Sequence, residues 1–230
     1  MVQAKGRERI IVELQEFEQL FTQLGTDYRT ADVDRLNKQL IRLRADVSCL
    51  RPLVLCRQEY HRSYFQVSLG ALKTIREKFD FLEANFDLLQ DWWHVDQLSQ
   101  FVDKQLTFPF GLERARGYVT DGRPFVRRWG YVLFMPSLVK EAQAPQAIFP
   151  LLHNDEAYYV QMAQGWLLSY LAIYHPEETL DYLSRCPLDY SIAGKAIQKT
   201  CDSFRVSPQW KQRFRQLRPL YRPSPLPVEE

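Results

Sequence analysis

The stretch Asp91-Trp92-Trp93-His94-Val95-Asp96 sets an indole and a carboxylate four residues apart. On a helix, residues i and i+4 stand one above the other, so Trp92 and Asp96 share a face while Trp93 points elsewhere. A ring face attracts positive charge and an adjacent carboxylate neutralises it, so this pair suits a cationic guest. Two further segments, Phe125-Val126-Arg127-Arg128-Trp129 and Tyr159-Val160-Gln161-Met162-Ala163-Gln164-Gly165-Trp166, supply an arginine pair and a second aromatic. If the three segments are successive copies of one helical unit, they can line one groove. Against this stands the ordinary fate of such residues: a helical tryptophan usually packs in the core, and an isolated aspartate is usually solvated. Taken alone, the Trp92 and Asp96 segment favours that plainer account, and the later segments shift the balance.

The elements that must position these residues read as helices almost throughout. Ile11, Leu14, Phe17, Leu20, Phe21 and Leu24 form one apolar stripe at helical spacing, and Val33, Leu36, Leu40 and Leu43 form another; strand-type alternation is nowhere sustained. Helix starts are marked by Asp155-Glu156 before a helix over 158–174, by Pro176-Glu177-Glu178 before a shorter one, and by Ser207-Pro208 before 209–217. Acids and proline belong in a first turn, where free amides and the helix dipole favour them. The pattern Phe125-Val126-x-x-Trp129-x-x-x-Leu133 recurs 34 residues later as Tyr159-Val160-x-x-Ala163-x-x-x-Leu167. Such a period predicts an all-α, curved α-solenoid of stacked antiparallel helix pairs, a HEAT-like or armadillo-like superhelix whose second helices line a concave binding side. The tryptophan, glycine and tyrosine pattern of tetratricopeptide repeats is absent. One domain is expected over 1–218, with repeats clearest from 85 to 217, followed by a proline-rich tail, 219–230, that is extended or disordered because proline cannot continue a helix.

The 230 residues carry a net charge of only +2, so the whole chain gives no signal of nucleic-acid binding. The charge is uneven, however. From Ala193 to Arg222 there are eight basic residues against the single acid Asp202. That run is compatible with phosphate contacts, and also with a plainly solvated basic helix. Cys49, Cys56, Cys186 and Cys201 show neither C-x-x-C pairing nor histidines at zinc spacing, so no metal is expected and a reducing compartment is the simplest setting. His61, His94, His153 and His175 are taken as structural or surface residues. After Lys5, Arg7 and Arg9, the acids Glu13, Glu16 and Glu18 interrupt any signal-peptide core, and no apolar run spans a bilayer. The expectation is a soluble, cytoplasmic protein that needs no membrane, and a monomer.

The ordered set Trp92-x-x-x-Asp96, Phe125-Val126-Arg127-Arg128, Tyr159-Val160-Gln161-Met162-Ala163-x-x-Trp166, Pro176-Glu177-Glu178-Thr179-Leu180-x-Tyr182-Leu183 and Lys195-Ala196-Ile197-Gln198-Lys199 resembles the AlkD-type DNA alkylation repair family, the HEAT-like-repeat DNA glycosylases. The resemblance covers roughly residues 85 to 217. It implies a catalytic aspartate at Asp96, two tryptophans, Trp92 and Trp166, flanking the lesion-bearing nucleotide, and a phosphate-contacting arginine at Arg128. Arg127, Lys195 and Lys199 are placed beside Arg128 as further backbone contacts, with double-stranded DNA as the partner and no cofactor. Two departures stand out. Family members commonly carry an arginine where this chain has Ser169, and residues 10–84 match poorly, with only Leu50-Arg51 recognisable.

The chemistry so implied is hydrolysis of the N-glycosidic bond of a cationic alkylated purine. The departures keep open a HEAT-like protein that binds branched or damaged DNA without cutting a bond, and the generic use of helical solenoids keeps open a protein-interaction scaffold. Trp129 and Trp210 are assigned to packing.

Overall fold

The computed structural model describes residues 10–185 and 187–221. The basic stretch Lys5, Arg7 and Arg9, Cys186, and the tail expectation from residue 222 onward lie outside the described residues. The described chain is all-α, built of packed helix pairs of the repeat-solenoid kind. Its strand content is one parallel pairing of two-residue segments, β1 (Ile10–Ile11) with β2 (Ala45–Asp46). By packing, the chain divides into two compact units, Met1–Gln105 and Leu106–Glu230.

The first unit holds α1 (Leu14–Thr22), α2 (Thr30–Arg42), α3 (Gln58–Ala71), α4 (Ile75–Glu83) and two short helices, α5 (Trp92–Asp96) and α6 (Ser99–Val102). Helices α2 and α3 pack side by side, and a 3-10 segment, Ser48–Leu53, covers α3. The two apolar stripes form the core only where they are helical. Phe17 and Phe21 of α1 and Val33, Leu36 and Leu40 of α2 are buried, whereas Ile11 and Leu43, placed in the stripes by spacing, lie beyond the helix ends and are exposed. Arg44 explains the sharp stop of α2: its positive φ of 56° turns the chain into β2.

The second unit comprises α7 (Phe108–Tyr118), α8 (Pro124–Val132), α9 (Ala144–Ile148), α10 (Tyr158–Tyr174), α11 (Pro176–Ser184), α12 (Tyr190–Asp202) and α13 (Pro208–Gln216). Helices α8, α10 and α12 form one continuous packed row, against which α7, α11 and α13 pair with α8, α10 and α12 respectively. The 34-residue repeat is the register of this row. Val126, Trp129 and Leu133 and their counterparts Val160, Ala163 and Leu167 are all buried. Buried residues lie on most sides of α10 because neighbours cover it from three directions, which is why its sequence reads as apolar nearly all round. The final 3-10 turn, Arg218–Tyr221, is docked: Tyr221 is buried and its hydroxyl donates to the Leu183 carbonyl, so residues 219–221 belong to the folded unit and not to an extended tail.

Gly165 sets the separation of α10 and α12. A β-carbon there would lie 3.1 Å from the Ile192 carbonyl oxygen and 3.1 Å from Lys195 Cβ, closer than backbone and stem readily permit. Gly165→Ala would gain about 1 kcal/mol in helix propensity but lose about 1–3 kcal/mol to overpacking. A lowered thermal midpoint is expected, and an unchanged or raised one would contradict the close approach.

Candidate functional site

A helix of five residues cannot hold itself in water, because nucleation costs more than its few hydrogen bonds return. Helix α5 is therefore held from outside. At its start the Asp91 carboxylate accepts from the Trp92 amide at 2.6 Å. Beneath it, Val95 is fully buried and His94 nearly so. The His94 ring stacks on His61 with centroids 4.2 Å apart and planes 9° from parallel. Trp93 packs edge-on to both imidazoles. Just after α5, buried Gln97 uses both ends of its amide: Oε1 accepts from Arg62 Nη1 at 3.1 Å, and Nε2 donates to His61 Nδ1 at 2.7 Å. Arg62 also grips Asp34 of α2 in a two-pronged ion pair at 2.7 and 2.9 Å. A polar layer thus ties α2 and α3 to the underside of α5.

What α5 presents on its other side is the predicted pair. Trp92 is 46% exposed, Asp96 is half-buried, and the four-residue spacing puts them on one face. Of the two adjacent tryptophans, Trp93 is the packed one.

Both imidazoles are fixed as neutral acceptors. Gln97 donates to Nδ1 of His61, and the Gln90 amide donates to Nδ1 of His94 at 3.0 Å, so a proton added there would break a bond. Burial, and then the neighbouring His94, push His61 down to about 2; burial pushes His94 down to about 4.

The arginine pair of the second unit faces inward. Arg127 forms a two-pronged ion pair with Asp155 at 2.7 and 3.1 Å and donates to the Asp121 and Gly122 carbonyls. Arg128 is buried and donates to the Tyr159 carbonyl at 2.6 Å. These two guanidiniums, expected at phosphates, instead stitch α8 to the start of α10. The helical period fixed their element but not their partners.

Trp166, Lys195 and Lys199 do come together. Trp166 is half-buried, Lys199 Nζ lies 5.7 Å over its ring, and the Lys195 stem packs at Gly165. Sequence reasoning missed the rest of this surface. Trp166, Tyr170 and Tyr174 repeat every four residues along α10, a stripe visible in the sequence but not singled out. Arg205, from the turn after α12, lies 4.9 Å over Tyr170 and 6.0 Å over Tyr174, and Lys140 lies 5.8 Å over Tyr174. No local periodicity could have found Arg205. A shallow pocket of about 320 Å³ opens here, lined among others by Trp166, Tyr170, Lys199, Asp202, Ser203 and Arg205. Ser169, also in its lining, is buried and turns its hydroxyl onto the Trp166 carbonyl at 2.7 Å. Aromatic faces alternating with cations are the chemistry that takes nucleic-acid bases and phosphates. As assigned, Trp129 is fully buried in packing. No helix among the described residues is long and apolar enough to cross a membrane.

A family model described as DNA alkylation repair enzyme matches residues 16–200. The match begins far upstream of residue 85, taking in the N-terminal helices that individual motifs left unassigned. No curated protein and no solved structure matches the chain.

Replacing Gln97 by Leu removes one partner each from buried His61 and from Arg62, and should cost about 1–3 kcal/mol of stability; an unchanged urea midpoint would show that the layer does not hold. A second expectation concerns acid. Histidines of the unfolded chain titrate near 6.5, while folded His94 and His61 titrate near 4 and 2, so the unfolded chain binds more protons as pH falls. Their contribution is fully present above about 6.5 and falls by about 1.4 kcal/mol per pH unit per histidine on acidification toward 4. Glu59, Asp121 and Asp155 are held below the usual carboxylate range and act only at lower pH. Urea unfolding between pH 6.5 and 5 reads this directly, and a flat profile would contradict it.

Proposed function

The chain belongs to the DNA alkylation repair enzyme family, and on that premise we propose that it is a DNA glycosylase that hydrolyses the N-glycosidic bond of cationic alkylated purines, of the N3-methyladenine or N7-methylguanine type, in duplex DNA. The observation that carries the reading is the exposed Trp92 and the half-buried Asp96 on one face of a helix whose other side is locked into the core. Alkylation at a ring nitrogen gives the base a positive charge and makes it a good leaving group. When the bond breaks, its electron pair goes to the base, which departs neutral, and positive charge grows on the deoxyribose. A fixed carboxylate close to that charge stabilises the transition state more than the ground state. Water then adds to the anomeric carbon and its proton passes to Asp96, as carboxylates act in sugar hydrolysis. The Trp92 ring face holds the cationic nucleotide, worth about 0.5–2 kcal/mol. In the second unit, Trp166 offers a ring face of its own, and Lys195, Lys199 and Arg205 supply phosphate contacts that carry no sequence information.

A second reading is a DNA-binding protein without bond cleavage. It is favoured by the internal pairing of Arg127 and Arg128 and by the inward hydroxyl of Ser169, which leave the backbone grip to fewer cations.

Purified protein in excess over a duplex bearing N7-methylguanine should release the free base, Asp96→Asn should abolish release, and Trp92→Ala should slow it about 2- to 30-fold. Salt-dependent binding without release by the wild type would replace the first reading with the second.

A further inference from the structure

The turn joining α12 to α13 carries Phe204 with 94% of its surface exposed, the most exposed large apolar side chain among the described residues. Its surroundings are cationic. Arg205, the next residue, lies over the Tyr170 and Tyr174 rings, and Lys199 lies over Trp166 on the same pocket wall. Among the described residues neither Lys199 nor Arg205 forms an ion pair with a carboxylate, and Asp202 is the sole acid in the pocket lining. Beyond the turn, α13 has no acidic residue and presents exposed Arg213 and Arg215, the former 4.4 Å over Trp210. Two cations without acidic partners, seated on aromatic faces, await an anion. A bare ring beside them fits a partner that carries flat apolar surfaces next to its anionic groups. Nucleic acid has that alternation along its whole length.

We propose that this turn is a nucleic-acid clamp: Arg205 and Lys199 hold a backbone phosphate at the pocket over Trp166 and Tyr170, and Phe204 lays its ring against, or wedges beside, the neighbouring base. Apolar side chains flanked by basic residues unstack base steps in this manner, and the larger protein surface that the kinked duplex then covers offsets the cost of unstacking. The clamp rests on DNA being the substrate, but not on any chemistry at Asp96.

The test uses the full chain and a duplex carrying 2-aminopurine, with binding followed by anisotropy across a salt series and unstacking followed by 2-aminopurine emission. Phe204→Ala should weaken binding about fivefold or more and suppress the emission change, leaving the salt slope unaltered. Phe204→Trp should restore both. Arg205→Ala should reduce the salt slope by about 0.9. So exposed a residue as Phe204 can be replaced without unfolding, which circular dichroism verifies. Wild-type affinity and emission in Phe204→Ala, or an unchanged slope in Arg205→Ala, would overturn the clamp while leaving base excision standing. Preferential binding to vesicles of anionic lipid over duplex would overturn it in favour of a membrane surface. Phe204-dependent binding without base release would uphold the clamp and remove the glycosylase reading.

Discussion

A catalytic carboxylate is useful only where it cannot move away from the charge it stabilises, and here the residue in question sits at the end of a five-residue helix. Everything proposed for Asp96 depends on the polar layer beneath α5. The layer is economical in its chemistry: two neutral imidazoles stacked face to face, one side-chain amide satisfied at both ends, and one guanidinium shared between Asp34 and Gln97. Buried polar groups are costly when left unpaired and specify one geometry when paired. That asymmetry fixes which face of α5 is turned outward, and therefore that Trp92 and not Trp93 accompanies Asp96. The same burial that keeps the histidines neutral makes the platform acid-sensitive, so positioning and pH response have one cause.

The second unit solves a different problem. On the proposed function, its surface along α10 attracts an anion without surrendering its cations to internal carboxylates. Arg127 and Arg128 were surrendered, to Asp155 and to the Tyr159 carbonyl, and they hold α8 to α10. Among the described residues Lys199 and Arg205 pair with no carboxylate and are seated on Trp166, Tyr170 and Tyr174, where the ring faces hold a cation without neutralising it. Gly165 brings α12 near enough for this, because the absent side chain lets Lys195 and the Ile192 carbonyl approach.

Much of this was legible in the sequence. The starts of α11 at Pro176 and of α13 at Pro208 follow from first-turn acids, proline and the Ser207 cap, whose oxygen accepts from the Trp210 amide, and that of α10 at Tyr158 from the Asp155-Glu156 pair just ahead of it, where the Asp155 carboxylate accepts from the Ala157 amide. The 34-residue repeat gave the buried register of α8 and α10 because period is a local property. What escaped was non-local. An arginine on a helix does not announce whether it turns to an aspartate 28 residues away or to solvent, and Arg127 turned inward. Gln97 looks like any polar residue until Arg62 and His61 are placed beside it. Arg205 and Phe204 lie on a turn, where no periodicity exists to be read. Leu43 continues an apolar stripe on paper, yet the chain leaves the helix one residue earlier.

The central claim is that Asp96, held by this layer, opposes positive charge on the sugar. Its most direct test compares two duplexes, one with the target deoxyribose replaced by a cyclic amine protonated at neutral pH, the other by the uncharged ring of the same size. The account predicts that the wild type binds the cationic ring at least tenfold more tightly, and that Asp96→Asn binds the two alike. Equal affinity of the wild type for both rings would contradict it.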